Sequence, residues 1–329
     1  MRQRHIDGLR GVAIALVVLF HAFARWPGLY GDGFSRTPVL AQGRVGVQLF
    51  FLISGFVILM TLERCEGFRD FMARRWRRLF PAMAWASIIL FVTAPLFEHR
   101  PQGVPVMRDL LPGLTFVAPD WWAGVLGSPQ GVLEGAFWSL FVEMKFYLVF
   151  GLSYFTLGPT RALCLLIGLF LAPIFAGHVG ATWVYDLSEL LGSWHYGWFA
   201  AGAIFYRFVQ SKNWRIFALA CGVGVFAAVR MQPGLVVASL AVVSLFAIAL
   251  TVPSVAYVLG SAPVVFLGTI SYPLYLLHEN AMVSMIVSMG SGVLNRVLSI
   301  AFVVLVAWLF TRYIEPLRLP ASWLPRRAA

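Results

Sequence analysis

Seven ionisable side chains fall inside otherwise apolar runs: Arg10, His21, Glu143, Lys145, His195, His278 and Glu279. In such surroundings a charge is costly, and it marks a partner, a cavity or chemistry. Arg10 and His21 are eleven residues apart. Eleven helical steps of 100° return to nearly the same face, about 16 Å further along the axis. A histidine titrates near neutral pH and can take the proton of an attacking hydroxyl. An arginine forks two charge-assisted bonds to phosphate. Asp7, one turn before Arg10, can pair with it and fix its direction. A snorkelling arginine and a hydrogen-bonded packing histidine are the structural alternative for the same pair.

Glu143 has Ser139 four residues before it and Tyr147 four after, which makes a polar stripe on one helix face. Lys145 points about 200° away and cannot be its partner within the helix. A carboxylate at membrane depth needs a cation, a donor or a proton. His21 is expected at comparable depth, and a polar clamp between helices is the other reading. Arg74, Arg75, Arg77 and Arg78 crowd into five residues between two apolar runs. They suit either a phosphate site or an anchor on anionic lipid. In Ser271-Tyr272-Pro273-Leu274-Tyr275-Leu276-Leu277-His278, the two tyrosines and the histidine recur every three residues and share a broad face. Pro273 is expected to break the helix ladder there. His99, His178 and His195 have no evident partner and read as interfacial residues.

The elements that must position these groups follow from composition. Of 329 residues, 60% are apolar and only 12% charged, against a usual 45–50% and about 25%. Such a chain cannot cover a globular surface with polar groups. The composition predicts an all-α, polytopic membrane protein and excludes disorder, coiled coil and solenoid. About ten spans are expected, near 8–26, 44–62, 79–97, 136–156, 162–180, 190–208, 214–229, 233–252, 264–287 and 293–312. With both termini cytoplasmic, 17 Lys and Arg fall inside and 7 outside, with Lys145 in a span. That split fits the positive-inside rule and accounts for the net charge of +11 without nucleic acid. A signal peptide ending at Ala22-Phe23-Ala24 is set aside, because His21 lies inside the run and the chain behind it is itself membrane. The long Gly- and Pro-rich loop 98–135 is expected outside, capping the face or dipping into the bilayer. Cys65, Cys164 and Cys221 are isolated, and no spacing suggests a metal site. Residues 1–329 are expected to form one transmembrane domain with no appended soluble domain.

These pieces, taken in order, resemble the membrane acyltransferase 3 family, integral-membrane enzymes that acylate bacterial surface and secreted glycans and some small molecules. Asp7-Gly8-Leu9-Arg10-Gly11-Val12-Ala13 followed by His21 is similar to its Arg–ten residues–His signature. Val45 to Phe56, with Ser54, resembles its second-helix motif, and Arg74 to Pro81 its arginine loop. Phe137-Trp138-Ser139-Leu140-Phe141-Val142-Glu143 with Phe146-Tyr147 resembles its Trp-Ser-Leu…Glu…Phe-Tyr element. Ser271 to His278 resembles its Tyr…Tyr-Leu…His element, and Glu315-Pro316 its usual ending. Lys145 and the Glu279-Asn280 continuation depart from the pattern, and are where this protein's own acceptor would show.

The resemblance implies an acyl-coenzyme A donor, with acetyl the family's commonest group, and no metal. It implies a hydroxyl acceptor on a glycan, a lipid-linked sugar or a small molecule. The expected location is the bacterial cytoplasmic (inner) membrane, where lipid surrounds the chain. His21 is the expected base, with Glu143 in support, and an acyl-His21 intermediate is the alternative route. Arg10, Arg74, Arg75, Arg77 and Arg78 are the expected donor-phosphate residues. Asp7, Ser54, Trp138, Ser139, Tyr147, Tyr272, Tyr275 and His278 are expected to contact substrate or support the site. A transporter or flippase of a glycolipid or small solute would use the same buried charges. A structural subunit would tolerate their loss.

Overall fold

The computed structural model describes residues 4–31 and 37–315. Arg2, Arg36, Arg318, Arg326 and Arg327 of the charge count, Pro316 of the terminal pair and both chain ends lie outside the described residues. Every regular element among the described residues is helical. Six helices are long and apolar enough to cross a membrane by length and composition: Arg4–Phe23, Val39–Leu62, Gly135–Leu157, Pro159–Val179, Pro233–Thr251 and Val293–Ile314. Trp214–Val229 is a shorter apolar helix.

Three of the ten runs expected from hydropathy take other forms. The third, 79–97, belongs to the 25-residue helix Phe68–Val92, which also carries Arg74 to Arg78. The arginine stretch is therefore helix and not loop. The sixth becomes a tight turn, Ser193–His195, followed by the 16-residue helix Tyr196–Ser211. The ninth is three pieces, Ala262–Thr269, Ser271–Leu277 and Glu279–Met289. Pro273 has no N–H to give the carbonyl of Thr269, four residues back, and the ladder breaks between the two, at Ile270. Pro273 is the third residue of Ser271–Leu277, in the first turn, where backbone N–H groups have no helical partner to lose. The chain breaks a second time at His278.

The described residues fall into two units. One holds 4–13, 45–72 and 142–265. Its centre is helix Tyr196–Ser211, buried along nearly its whole length. Helices Gly46–Leu62, Pro159–Val179 and Trp214–Val229 pack around it. A helix apolar on all sides has no face to offer water, which is why it takes the middle. A Cβ on Gly55 would fall on the carbonyl of Phe199, and one on Gly202 on that of Leu52. Two helices can cross that closely only through glycine. Phe146 stacks on Phe199 with ring centroids 4.0 Å apart.

The other unit holds 14–31, 37–44, 73–141 and 266–315. Loop 98–135 is ordered by its own polar groups. Buried Arg100 donates to the carbonyls of Leu90 (3.0 Å) and Leu133 (3.2 Å). Asp109 accepts from the backbone N–H groups of Val106 and Gly131, both at 2.8 Å. Arg296, 1% exposed, donates to the carbonyls of Ala22, Tyr30 (3.4 Å) and Ser291 (2.9 Å). It also lies 4.4 Å over the Tyr30 ring. At Ala22 it thereby satisfies a carbonyl that the end of helix Arg4–Phe23 leaves open.

Candidate active site

His21 occupies the last turn of helix Arg4–Phe23, and Arg10 lies nearly two turns in from its start. The His21 Nδ1 atom is 2.8 Å from the carbonyl oxygen of Val17, four residues back. A carbonyl only accepts, so Nδ1 carries the proton in the neutral ring. His278 is placed at the break between Ser271–Leu277 and Glu279–Met289. Its Nδ1 meets the carbonyls of Leu274 (3.1 Å) and Tyr275 (3.0 Å), which assigns its proton in the same way. The lone pair on His278 Nε2 then faces His21 Nδ1 at 3.4 Å, with the rings edge to face at 4.8 Å. His21 Nε2 is thus left with its lone pair, and it is the nitrogen able to take a proton.

Glu279 Oε1 lies 3.6 Å from that nitrogen. Its carboxyl is held from two sides. Trp26 Nε1 donates to Oε1 at 3.1 Å, and the Ala136 N–H to Oε2 at 2.8 Å. A Cβ on Gly135 would come within 2.8 Å of Oε2, so this backbone approaches because residue 135 is glycine. Asn280 donates its backbone N–H to Glu134 (3.0 Å) and its side-chain amide to the Leu133 carbonyl (2.6 Å). His278, Glu279, Asn280 and Glu134 are all at most 1% exposed. Burial first, then the nearby charge of Glu279, pushes the Glu134 carboxyl well above the ordinary carboxylate range; the Asn280 N–H and Arg100 act against this. The two carboxyls therefore share a setting that favours one charge over two.

The expected tyrosine face divides. Tyr275 donates to the Ala136 carbonyl at 2.8 Å, and its oxygen lies 2.7 Å from Ser139 Oγ. The tyrosine proton is committed to the carbonyl, so Ser139 is the donor in that second bond. Tyr272 donates to the carbonyl of Leu79 at 3.0 Å, just beyond the arginine stretch. Glu143 accepts from Ser54 and, at 2.6 Å, from Tyr147. The carboxylate beside the His21 ring is Glu279. Ser139, predicted in the stripe with Glu143, turns to Tyr275. Asp7 pairs with Arg10 at 2.8 Å. Trp138 is 42% exposed at the start of helix Trp138–Leu157. His195 packs against Phe51, His178 Nδ1 donates to the Ile174 carbonyl, and the His99 N–H donates to Ser284.

Within helix Phe68–Val92, Arg74, Arg77 and Arg78 are exposed and lie on one face at i, i+3 and i+4, while Arg75 is buried. Glu315 has its carboxyl pushed up by burial, and Arg78 acts in the opposite direction. Among the described residues, no three His, Cys, Asp or Glu side chains are grouped to hold a metal ion.

Sequence reasoning named His21 and His278. It left Glu279 and Asn280 without a role and did not single out Glu134, Trp26 or Arg296. The available signal was His278-Glu279-Asn280, three polar residues in succession inside an apolar run.

Comparison with known proteins gives a family and several relatives. The profile of the acyltransferase 3 family, described as an acyltransferase domain, matches residues 4–312. BcsY of Komagataeibacter xylinus, named for membrane-bound transacylase activity, is 31% identical over 49% of this chain and 39% of its own length. YrhL of Bacillus subtilis, named for peptidoglycan O-acetyltransferase activity, is 30% identical over 44% of this chain and 22% of its own. The O-acetyltransferase OatA of Staphylococcus aureus is 29% identical over 45% and 24%. The chain thus spans well under half the length of these relatives. No solved structure matches it.

Proposed function

Since this chain belongs to the acyltransferase 3 family over residues 4–312, we propose that it is an integral-membrane O-acyltransferase of the bacterial inner membrane. In this reading it moves an acyl group, acetyl being the first candidate, from cytoplasmic acyl-coenzyme A to a hydroxyl. The acceptor is a glycan, a lipid-linked sugar or a small molecule, and the name of YrhL, a peptidoglycan O-acetyltransferase, favours the glycan. The observation that carries the assignment of His21 is its Nε2 lone pair, left available once Nδ1–H is bound to Val17.

The proton balance is simple. A hydroxyl is a poor nucleophile at neutral pH. As its oxygen attacks the thioester carbonyl, its proton passes to His21 Nε2. The C–S bond breaks, and the imidazolium returns the proton to the departing thiolate. The products are an ester and the coenzyme A thiol, and no net proton is taken up. A positioned base of this kind contributes about 10²–10⁴-fold. Arg74, Arg75, Arg77, Arg78 and Arg10 are the candidates for the donor's phosphates. Glu143, bonded to Ser54 and Tyr147, is the second acidic candidate. Asp7, Trp138, Ser139, Tyr272, Tyr275 and His278 are assigned to substrate contact or support.

Purified protein given acetyl-coenzyme A should release free thiol, and His21→Gln should lower that rate by about 10²-fold or more. Mass spectrometry of surface glycans and lipids from cells with and without the gene should show a difference of one acyl group. If His21→Gln inserts normally and turns over at the wild-type rate, the assignment of the base fails.

A further inference from the structure

Glu279 reaches the reacting nitrogen of the proposed base, yet its carboxyl is built into the protein and not free to move. We propose that Glu279 is the positioning residue of His21: its carboxylate stabilises the imidazolium that forms when Nε2 takes the acceptor's proton. The proposal rests on the reading of His21 as base.

Four observations support it. Oε1 is 3.6 Å from Nε2, which is too long for a hydrogen bond in the resting state but close enough for a strong attraction once the ring is charged. The carboxyl is aimed by Trp26 Nε1 on one oxygen and by the Ala136 N–H on the other, so it need not reorganise as the charge appears. Glu134 is buried close by, with its own carboxyl pushed toward the neutral form, so the pair favours one negative charge over two. The residue also opens helix Glu279–Met289, where the helix end favours an anion. The charged or titratable groups bearing on the pair are His278, Glu134 and Arg25.

The size of the effect follows from what Glu279 does not do. In a serine-protease triad, the carboxylate also fixes the histidine tautomer, and its amide replacement costs about 10⁴-fold. Here Val17 and His278 already fix the tautomer through Nδ1. Glu279 supplies charge alone, so a smaller loss, about 10- to 100-fold in kcat, is expected. That corresponds to about 1.4–2.7 kcal/mol.

The test compares wild type, Glu279→Gln, Glu279→Asp and His21→Gln as purified full chains, with acetyl-coenzyme A as the probe and thiol release as the readout. Rates are taken per molecule competent to bind the donor. The expected order of kcat is wild type, then Glu279→Asp, then Glu279→Gln, with KM for acetyl-coenzyme A unchanged within about twofold. A residue that acts only by shape gives the opposite order, because glutamine is isosteric with glutamate and keeps the Ala136 bond, whereas aspartate is one methylene short. If Glu279→Gln equals or exceeds Glu279→Asp, the proposal is overturned. If His21→Gln is inactive while Glu279→Gln keeps wild-type kcat, this inference fails and the base survives. If His21→Gln itself turns over normally, the base fails and Glu279 loses its role with it. Should the Gln variant not accumulate, the uncharged and similarly sized Glu279→Met takes its place: kcat below that of Glu279→Asp at unchanged KM supports the proposal, and kcat equal to or above it refutes it.

Discussion

Replacing His278 with phenylalanine should cost stability far more than chemistry. The ring is fully buried, and phenylalanine keeps its flat shape while removing both nitrogens. Two interactions are lost. Nδ1–H no longer serves the carbonyls of Leu274 and Tyr275, at 3.1 and 3.0 Å, at a point where the helix is already interrupted. A lost hydrogen bond costs about 1 kcal/mol, and a buried acceptor left unsatisfied about 1–3 kcal/mol more. A destabilisation of about 2–4 kcal/mol follows. The second loss is the contact between His278 Nε2 and His21 Nδ1 at 3.4 Å. His21 keeps its shorter bond to Val17, at 2.8 Å, so its tautomer should persist. Losing one weak neutral hydrogen bond is worth at most about 1.5 kcal/mol, or roughly tenfold in kcat. The assay pairs a thermal unfolding curve in detergent with thiol release from acetyl-coenzyme A below the unfolding range. If His278→Phe unfolds like wild type but loses activity as completely as His21→Gln, His278 itself handles a proton. The tautomer argument built on Val17 would then be wrong.

Two further outcomes are expected. Single alanine replacements of the exposed Arg74, Arg77 and Arg78 should each weaken acyl-coenzyme A binding by about 1.5–3 kcal/mol, and lysine should restore it only in part. Arg75→Ala, at a buried position, should lower the unfolding temperature as well; equal and small effects at all four sites would mark the stretch as a lipid anchor. Cysteines placed at Asp70 and Asp120 should label from opposite sides of the membrane, and labelling from one side would refute the proposed orientation.

Much was legible in the chain itself. An excess of apolar residues leaves a helical membrane protein as the available class, because unpaired backbone groups are not tolerated in lipid. Short-range spacings carried through where both partners share one continuous helix. Asp7 and Arg10, three apart, form their ion pair, and Glu143 and Tyr147, four apart, form their hydrogen bond. The ordered motifs pointed to the family that residues 4–312 match.

What the chain did not disclose depends on breaks and on distant partners. Hydropathy reads 264–287 as one span, because Ile270 is as apolar as its neighbours and the polar run His278-Glu279-Asn280 is too short to end an apolar window. Only the fold shows Ile270 and His278 interrupting it, and so bringing an N–H donor and a carboxyl to face other segments. Periodicity placed Ser139 with Glu143, but a serine hydroxyl takes whichever partner is in reach, and Tyr275 is 136 positions away. The arginine stretch read as a loop because its charge masked a helix that continues into the apolar run. Glu279 is the sharpest case. Its spacing from His21 along the chain carries no information, and its 3.6 Å distance exists only after residues 21, 26, 136 and 279 have been folded onto one another. Residue types and local periods determine which chemistry the chain can hold. Which carboxylate meets which histidine is decided by tertiary packing, since a contact between residues hundreds of positions apart leaves no period in the sequence.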